Sequence, residues 1–153
     1  MGAGSQGHRK MFDGLGRHVI GELYGCEPAL LRDTSFIRNA AKKAAEKAGS
    51  TIVSDLANKF DGGEGVSYIL AIKESHISIH TWPEHSYAAV DIYTCGDNVN
   101  PWNAFEELLK LLNPKSVSVM EIRRGLLASH NSRTSIAVRD RTCMRNSFGP
   151  QRL

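Results

Sequence analysis

The segment Lys73-Glu-Ser-His-Ile-Ser-Ile-His-Thr-Trp-Pro-Glu-His-Ser-Tyr-Ala-Ala-Val-Asp-Ile-Tyr-Thr-Cys-Gly96 holds three histidines, three serines, three acids and one cysteine within 24 residues. Its remaining residues are rich in Ile, Val, Tyr and Thr, which suits a strand. Reactive groups are dense for such a setting. A hydroxyl near an imidazole can become an activated nucleophile, and a thiol or carboxyl can move protons. Residue types alone leave three readings open. A Ser/His pair suits a hydrolase, although no Gly-x-Ser-x-Gly turn presents a serine here. Strand alternation places His76, Ser78 and His80 on one face, so His76 and His80 could share a metal with His85, but the spacing shows no carboxylate or thiolate to complete the set. In the third reading these are half-exposed strand residues with local hydrogen bonds.

The elements that must position these groups are legible around them. Arg17 to Tyr24, Ser50 to Ala57, Val66 to Lys73, His76 to Trp82, Tyr87 to Cys95 and Ser116 to Ile122 read as strands. Pro28 suits the first turn of a helical piece. Thr34 or Ser35 is expected to cap a helix running to Ala48, with Gly49 as its stop. Phe36, Ile37, Ala40, Ala41, Ala44, Ala45 and Ala48 form its apolar stripe, and Arg38, Lys42, Lys43 and Lys47 lie mostly off it. Asn100-Pro101 opens a second helix to about Leu112, with Phe105, Leu108, Leu109 and Leu112 on one face. The order β-α-β-β-β-β-α-β predicts an α+β, two-layer sandwich: an antiparallel sheet with helices on one face. The other face is left for a dimer interface or a site.

Length and composition bound the rest. The 153 residues suffice for one ordinary domain, and 41% hydrophobic content supports a core. No apolar run approaches the ~20 residues needed to span a bilayer, and the first ten residues lack the apolar stretch of a secretory signal. Cys26, Cys95 and Cys143 are odd in number and share no metal-ligand spacing, so a reduced, cytoplasmic setting is the simpler reading. Residues 1–14 read as a flexible leader and 126–153 as a basic, flexible tail, on either side of a domain at 15–125. Five arginines (133, 139, 141, 145, 152) face one acid, Asp140, between Ser129 and Leu153; the net charge is +3, so the remainder is near neutral. That distribution does not suit a nucleic-acid-binding domain.

Glu74-Ser75-His76-Ile-Ser-Ile-His80-Thr-Trp-Pro-Glu84, followed by Tyr-Ala-Ala-Val-Asp-Ile-Tyr-Thr-Cys95-Gly, resembles the signature of the short, prokaryotic-type S-adenosylmethionine decarboxylases. The resemblance runs back through Gly65-Val-Ser67 and Leu15-Gly-Arg-His18 and forward through Pro101-Trp102 to about Gly125. It implies a pyruvoyl-dependent decarboxylase made from a proenzyme. Ser75 would attack the carbonyl of Glu74, turning amide to ester; elimination would then split the chain between Glu74 and Ser75 and leave a pyruvoyl group at residue 75. Ser67 matches the second processing serine, His80 the base that removes the α-proton in the elimination, and Cys95 the donor that protonates the former α-carbon of the substrate. The pyruvoyl ketone would replace pyridoxal phosphate, forming a Schiff base with the substrate amine and accepting the electrons released with CO₂. No metal is expected. Alternation puts Ser75 and His80 on opposite strand faces, so a bulge or a swing of the cleaved end would be needed to join them.

By the same resemblance Glu84 would bind the ribose hydroxyls and Phe60 would stack on adenine. This sequence departs from the usual pattern in the loop Asp61-Gly-Gly-Glu-Gly65 and at Lys73. Relatives of this kind include arginine and ornithine decarboxylases, and Asp61 or Glu64 could pair a guanidinium or ammonium end. S-adenosylmethionine is the expected substrate, arginine or ornithine the alternative, and a processing-dead binding or regulatory subunit the reading from another class. The resemblance also implies a homodimer of cleaved chains whose sites draw on both protomers.

Overall fold

The computed structural model describes residues 14–60, 62, 64–126 and 139–140. The expected leader and tail lie outside these residues, apart from Gly14, Leu126 and the pair 139–140. The chain forms β1 (Gly16–Tyr24), α1 (Pro28–Leu31), α2 (Thr34–Ala48), β2 (Ile52–Lys59), β3 (Val66–Ile72), β4 (Ser75–Trp82), a turn of 3-10 helix (Pro83–His85), β5 (Tyr87–Cys95), α3 (Pro101–Leu112), β6 (Ser116–Arg124) and β7 (Arg139–Asp140). All pairs are antiparallel, in the order β2-β3-β4-β5-β1-β6-β7. The α+β sandwich matches the expectation, with one strand more than the sequence reading counted.

The helices start and stop for local reasons. The cap of α2 is Asp33 rather than Thr34 or Ser35: its carboxylate accepts from the N–H groups of Ser35 and Phe36, at 2.8 and 3.0 Å. A carboxylate can accept both bonds at once, so Thr34 falls inside the first turn. Gly49 ends α2 in the left-handed region at φ 83°, which a side chain would disfavour. Asn100 caps α3, accepting from Trp102 N–H at 3.1 Å.

Both helices lie on one face of the sheet. Ile37, Ala41 and Ala44 of α2 and Phe105, Leu108 and Leu112 of α3 are buried with Val19, Leu23, Leu70, Ile77, Ile79, Val90 and Ile92 from the strands. Each large side chain so buried contributes roughly 1.5–3 kcal/mol of transfer free energy. Alternation turns His18, Ser67, His76, Ser78, His80, Asp91, Tyr93 and Cys95 to the opposite face, which carries no helix among the described residues. Leu56, Ile69, Met120 and Ile122 also lie there, exposed at 67%, 44%, 42% and 39%.

Candidate active site

Ile72 pairs with Ser75, so Lys73-Glu74 is a two-residue hairpin turn. Such turns normally use residues that tolerate positive φ, because that backbone twist matches the flanking strands. Here the unusual conformation falls one residue later, on Ser75, at φ 151°. A side chain held in that glycine-favoured region stores on the order of 1–3 kcal/mol. The peptide bond between Glu74 and Ser75 is held from both sides. The Glu74 carbonyl accepts a hydrogen bond from the Cys95 N–H at 2.8 Å, and the Glu74 carboxylate accepts from the Thr51 N–H at 3.2 Å. The Ser75 Oγ lies 3.1 Å from His76 Nδ1. A hydroxyl on an imidazole thus adjoins a carbonyl already held by a backbone donor.

Around His76 the open face gathers polar groups from four strands. Its ring meets Tyr93 edge-on at 6.0 Å and His18 at 6.4 Å. His18 Nε2 lies 3.1 Å from Asp91, which also accepts from the Ser78 hydroxyl at 3.3 Å. The Arg124 guanidinium sits 4.6 Å over the Tyr93 ring. Burial holds the His76 imidazole below its ordinary pKa; the charges of His18 and Arg124 add to this, and Asp91 opposes it. A hydrogen bond with Cys95 raises the Tyr93 phenol above its usual range, and desolvation adds to the shift.

A second cluster sits at the far end of β4. Ser67 pairs across the ladder with His80, and Ser67 Oγ lies 2.8 Å from His80 Nδ1. Beside it the rings of Phe60, Trp82, Tyr87 and Tyr24 stack in sequence, with centroids 5.9, 5.2 and 5.2 Å apart. The end of this stack is packed against backbone: a Cβ on Gly65 would come within 2.3 Å of the Thr81 carbonyl oxygen and 2.8 Å of Phe60. Glu84 is exposed in the 3-10 turn that follows Trp82. Glu64 forms an ion pair with Arg32 at 2.7 Å; Asp61 lies outside the described residues. His80 lies five steps of extended strand beyond Ser75, about 16 Å at the usual rise.

The S-adenosylmethionine decarboxylase family model matches residues 17–125. The chain belongs to the S-adenosylmethionine decarboxylase family. Its relatives include the S-adenosylmethionine decarboxylase proenzyme of Thermotoga petrophila, 47% identical over 111 residues, which are 72% of this chain and 85% of that protein. The corresponding proenzyme of Clostridium tetani is 44% identical over 112 residues, 73% and 88% of the two chains. An arginine decarboxylase proenzyme of Caldivirga maquilingensis is 43% identical over 113 residues, 72% and 84%. Among solved structures, the adenosylmethionine decarboxylase of Aquifex aeolicus VF5 superposes with a TM-score of 0.70 at 33% identity, covering 80% of this chain and all of that one.

The residues singled out in the sequence therefore fall into two groups. Ser75, Glu74 and Cys95 meet at the hairpin end of β4; Ser67 and His80 meet at its other end, with Phe60 and Glu84 on that side. No bulge interrupts β4 to bring His80 to Ser75. Sequence reasoning named no role for His18, Asp91, Tyr93 or Arg124, which the structure gathers at His76. His18 pairs with Tyr93 through the β1–β5 register, so the signal would have been strand order, which periodicity does not carry. Among the described residues no helix is long and apolar enough to cross a membrane.

Proposed function

We propose that this protein cuts its own chain between Glu74 and Ser75, keeps a pyruvoyl group made from Ser75, and decarboxylates S-adenosylmethionine. The observation that carries this reading is the state of the Glu74–Ser75 bond. Ser75 is conformationally strained, its hydroxyl meets an imidazole, and the preceding carbonyl accepts a backbone N–H. Attack of Oγ on that carbonyl would relieve the strained peptide, and the Cys95 N–H is placed to stabilise the developing oxyanion. These residues fit a pyruvoyl group at position 75: the new end would lie beside the Cys95 thiol and the His76 ring. When present, the group supplies an electron sink for loss of CO₂. Cys95 then protonates the substrate carbon from its thiol, on the same strand face as Tyr93.

Ser67 and His80 serve the same chemistry from a second copy of the chain. Within one chain they are too far from Ser75, about 16 Å along β4. Two sheets meeting by their open faces would set the Ser67–His80 end of one against the Ser75–Cys95 end of the other. The exposed Leu56, Ile69, Met120 and Ile122 on that face support such a homodimer, since they would be covered. His80 then removes the α-proton in the elimination, Phe60 offers its ring to adenine, and Glu84 accepts from the ribose hydroxyls. A ring stack also attracts a sulfonium. The product would feed aminopropyl transfer in polyamine synthesis.

Similarity to an arginine decarboxylase proenzyme makes arginine the second substrate to test. Glu64, one of two acids able to receive a guanidinium, is already paired with Arg32. The test is reductive trapping read by denaturing mass spectrometry, with equal S-adenosylmethionine, arginine and ornithine. Two chains are expected, with an adenosylmethionine-derived mass on the chain beginning at residue 75. An arginine- or ornithine-derived mass would overturn the substrate, and a single uncut chain would remove the catalytic reading.

A further inference from the structure

Self-cleavage begins with a proton transfer for which the sequence motif assigns no residue. Ser75 must lose its hydroxyl proton as Oγ attacks, and the Ser75 nitrogen must gain one as it leaves. His80 cannot make this transfer within its own chain, because it lies about 16 Å away along β4 and its Nδ1 faces Ser67 at 2.8 Å. Of the described imidazoles, His76 is the one within hydrogen-bond distance of Ser75 Oγ, with Nδ1 at 3.1 Å.

We infer that His76 is the proton carrier of the first cleavage step: its Nδ1 takes the Ser75 Oγ proton and returns it to the departing Ser75 nitrogen. This rests on the self-cleavage reading above and assigns one residue within it. The step balances without a co-reactant. The bond from Oγ to the Glu74 carbonyl carbon forms, the bond from that carbon to the Ser75 nitrogen breaks, and one proton passes from oxygen to nitrogen through the ring. His76 ends neutral, as it began. The later α-proton is a different proton, left to His80.

The surroundings of His76 suit the task. For Nδ1 to accept, the ring must be neutral with its proton on Nε2. Every element packed around it bears on that state. From β1 comes His18, from β5 Asp91 and Tyr93, and from β6 Arg124, while β3 contributes the uncharged Ala71 opposite His76. Burial, His18 and Arg124 favour the neutral ring, and Asp91 opposes them less strongly. Tyr93 and His18 also hold the ring edge-on, which fixes Nδ1 toward Ser75.

The test uses full-length precursor from cell-free translation, with cleavage timed by denaturing mass spectrometry from about pH 5 to 9. In the wild type the rate should fall at acid pH, with its midpoint below the ordinary imidazole value of about 6.5, because burial holds the His76 pKa down and the protonated ring cannot accept. His76→Asn keeps an acceptor near the Nδ1 position but cannot take up the proton. It should cut roughly 10²–10⁴-fold more slowly and lose the acidic limb. Added imidazole should restore part of the rate to His76→Ala, which a purely structural role would not allow. Both variants cutting within about threefold of wild type, with the same pH profile, would overturn the inference while leaving self-cleavage intact. A wild-type precursor that never cuts would instead remove the reading beneath it. If these variants fail to fold, His76→Gln takes their place, and a cleavage rate within about threefold of wild type with the same pH profile would overturn the inference.

Discussion

Cys95 offers two groups to one place. Its N–H holds the Glu74 carbonyl, and its thiol lies on the open face of β5 two residues from Tyr93. The two functions separate on mutation because the N–H belongs to the backbone. Cys95→Ala should therefore still cut its chain, seen as two masses, yet release CO₂ from S-adenosylmethionine roughly 10²–10⁴-fold more slowly. Normal steady turnover would exclude the thiol as proton donor. At this scale much was legible in the sequence. Ser75, His80, Cys95 and Ser67 stand in or beside one contiguous motif, so their local spacing survives into the strands. The setting of Ser75 was not legible. Its φ of 151° arises from closing a hairpin with Lys73-Glu74, and no residue type announces it. His76 was visible only as a possible metal ligand, since its partners His18 and Arg124 come from β1 and β6.

The strands and helices were readable to within a few residues because each carries its own signal: β-branched runs, an alanine stripe, an Asn-Pro start and a glycine stop. The misplaced cap of α2 shows where such signals compete, as Asp33, Thr34 and Ser35 are all good caps and the carboxylate took both N–H groups. Contacts between elements were less legible. Arg17 of β1 donates two hydrogen bonds to Glu121 of β6, at 3.1 and 2.9 Å, and the Trp102 indole of α3 donates to the same carboxylate. Desolvation opposes ionisation of Glu121, but the bonds from Arg17 and Trp102 and the charges of Arg17 and Arg123 outweigh it and hold its pKa below the usual range. A depressed carboxylate contributes stability that is full above its unfolded pKa of about 4.3 and fades as pH falls below it. Glu121→Gln should lower the melting temperature by roughly 5 °C at pH 7. The gap to wild type should close between about pH 5 and pH 3. A gap that stays constant through that window, in thermal scans by circular dichroism, would show that ionisation of Glu121 does not matter.

Among the described residues, the face bearing the proposed chemistry has no helical layer, and that chemistry is divided between the two ends of β4. One chain supplies a strained serine with its carbonyl donor; the same chain carries, about 16 Å away, the Ser67–His80 pair to which the proposed elimination is assigned. The free sheet face was legible from the order of elements. That Ser75 and His80 point to opposite faces was also legible, but alternation along one strand gives no hint of a second copy; it pointed to a bulge or a swing of the cut end, while the family resemblance separately implied sites that draw on both protomers. Two chains meeting by their open faces, as proposed, would remove the conflict. The direct measurement is mixed pairing. Ser75→Ala and His80→Ala chains, distinguished by mass, are each expected to remain uncut alone. Produced together, they form mixed dimers with one intact composite site: Ser75 from the His80→Ala chain and His80 from its partner. The His80→Ala chain should then be cut between residues 74 and 75. If it stays whole in verified mixed dimers, or is cut just as well without the partner, the shared site is wrong.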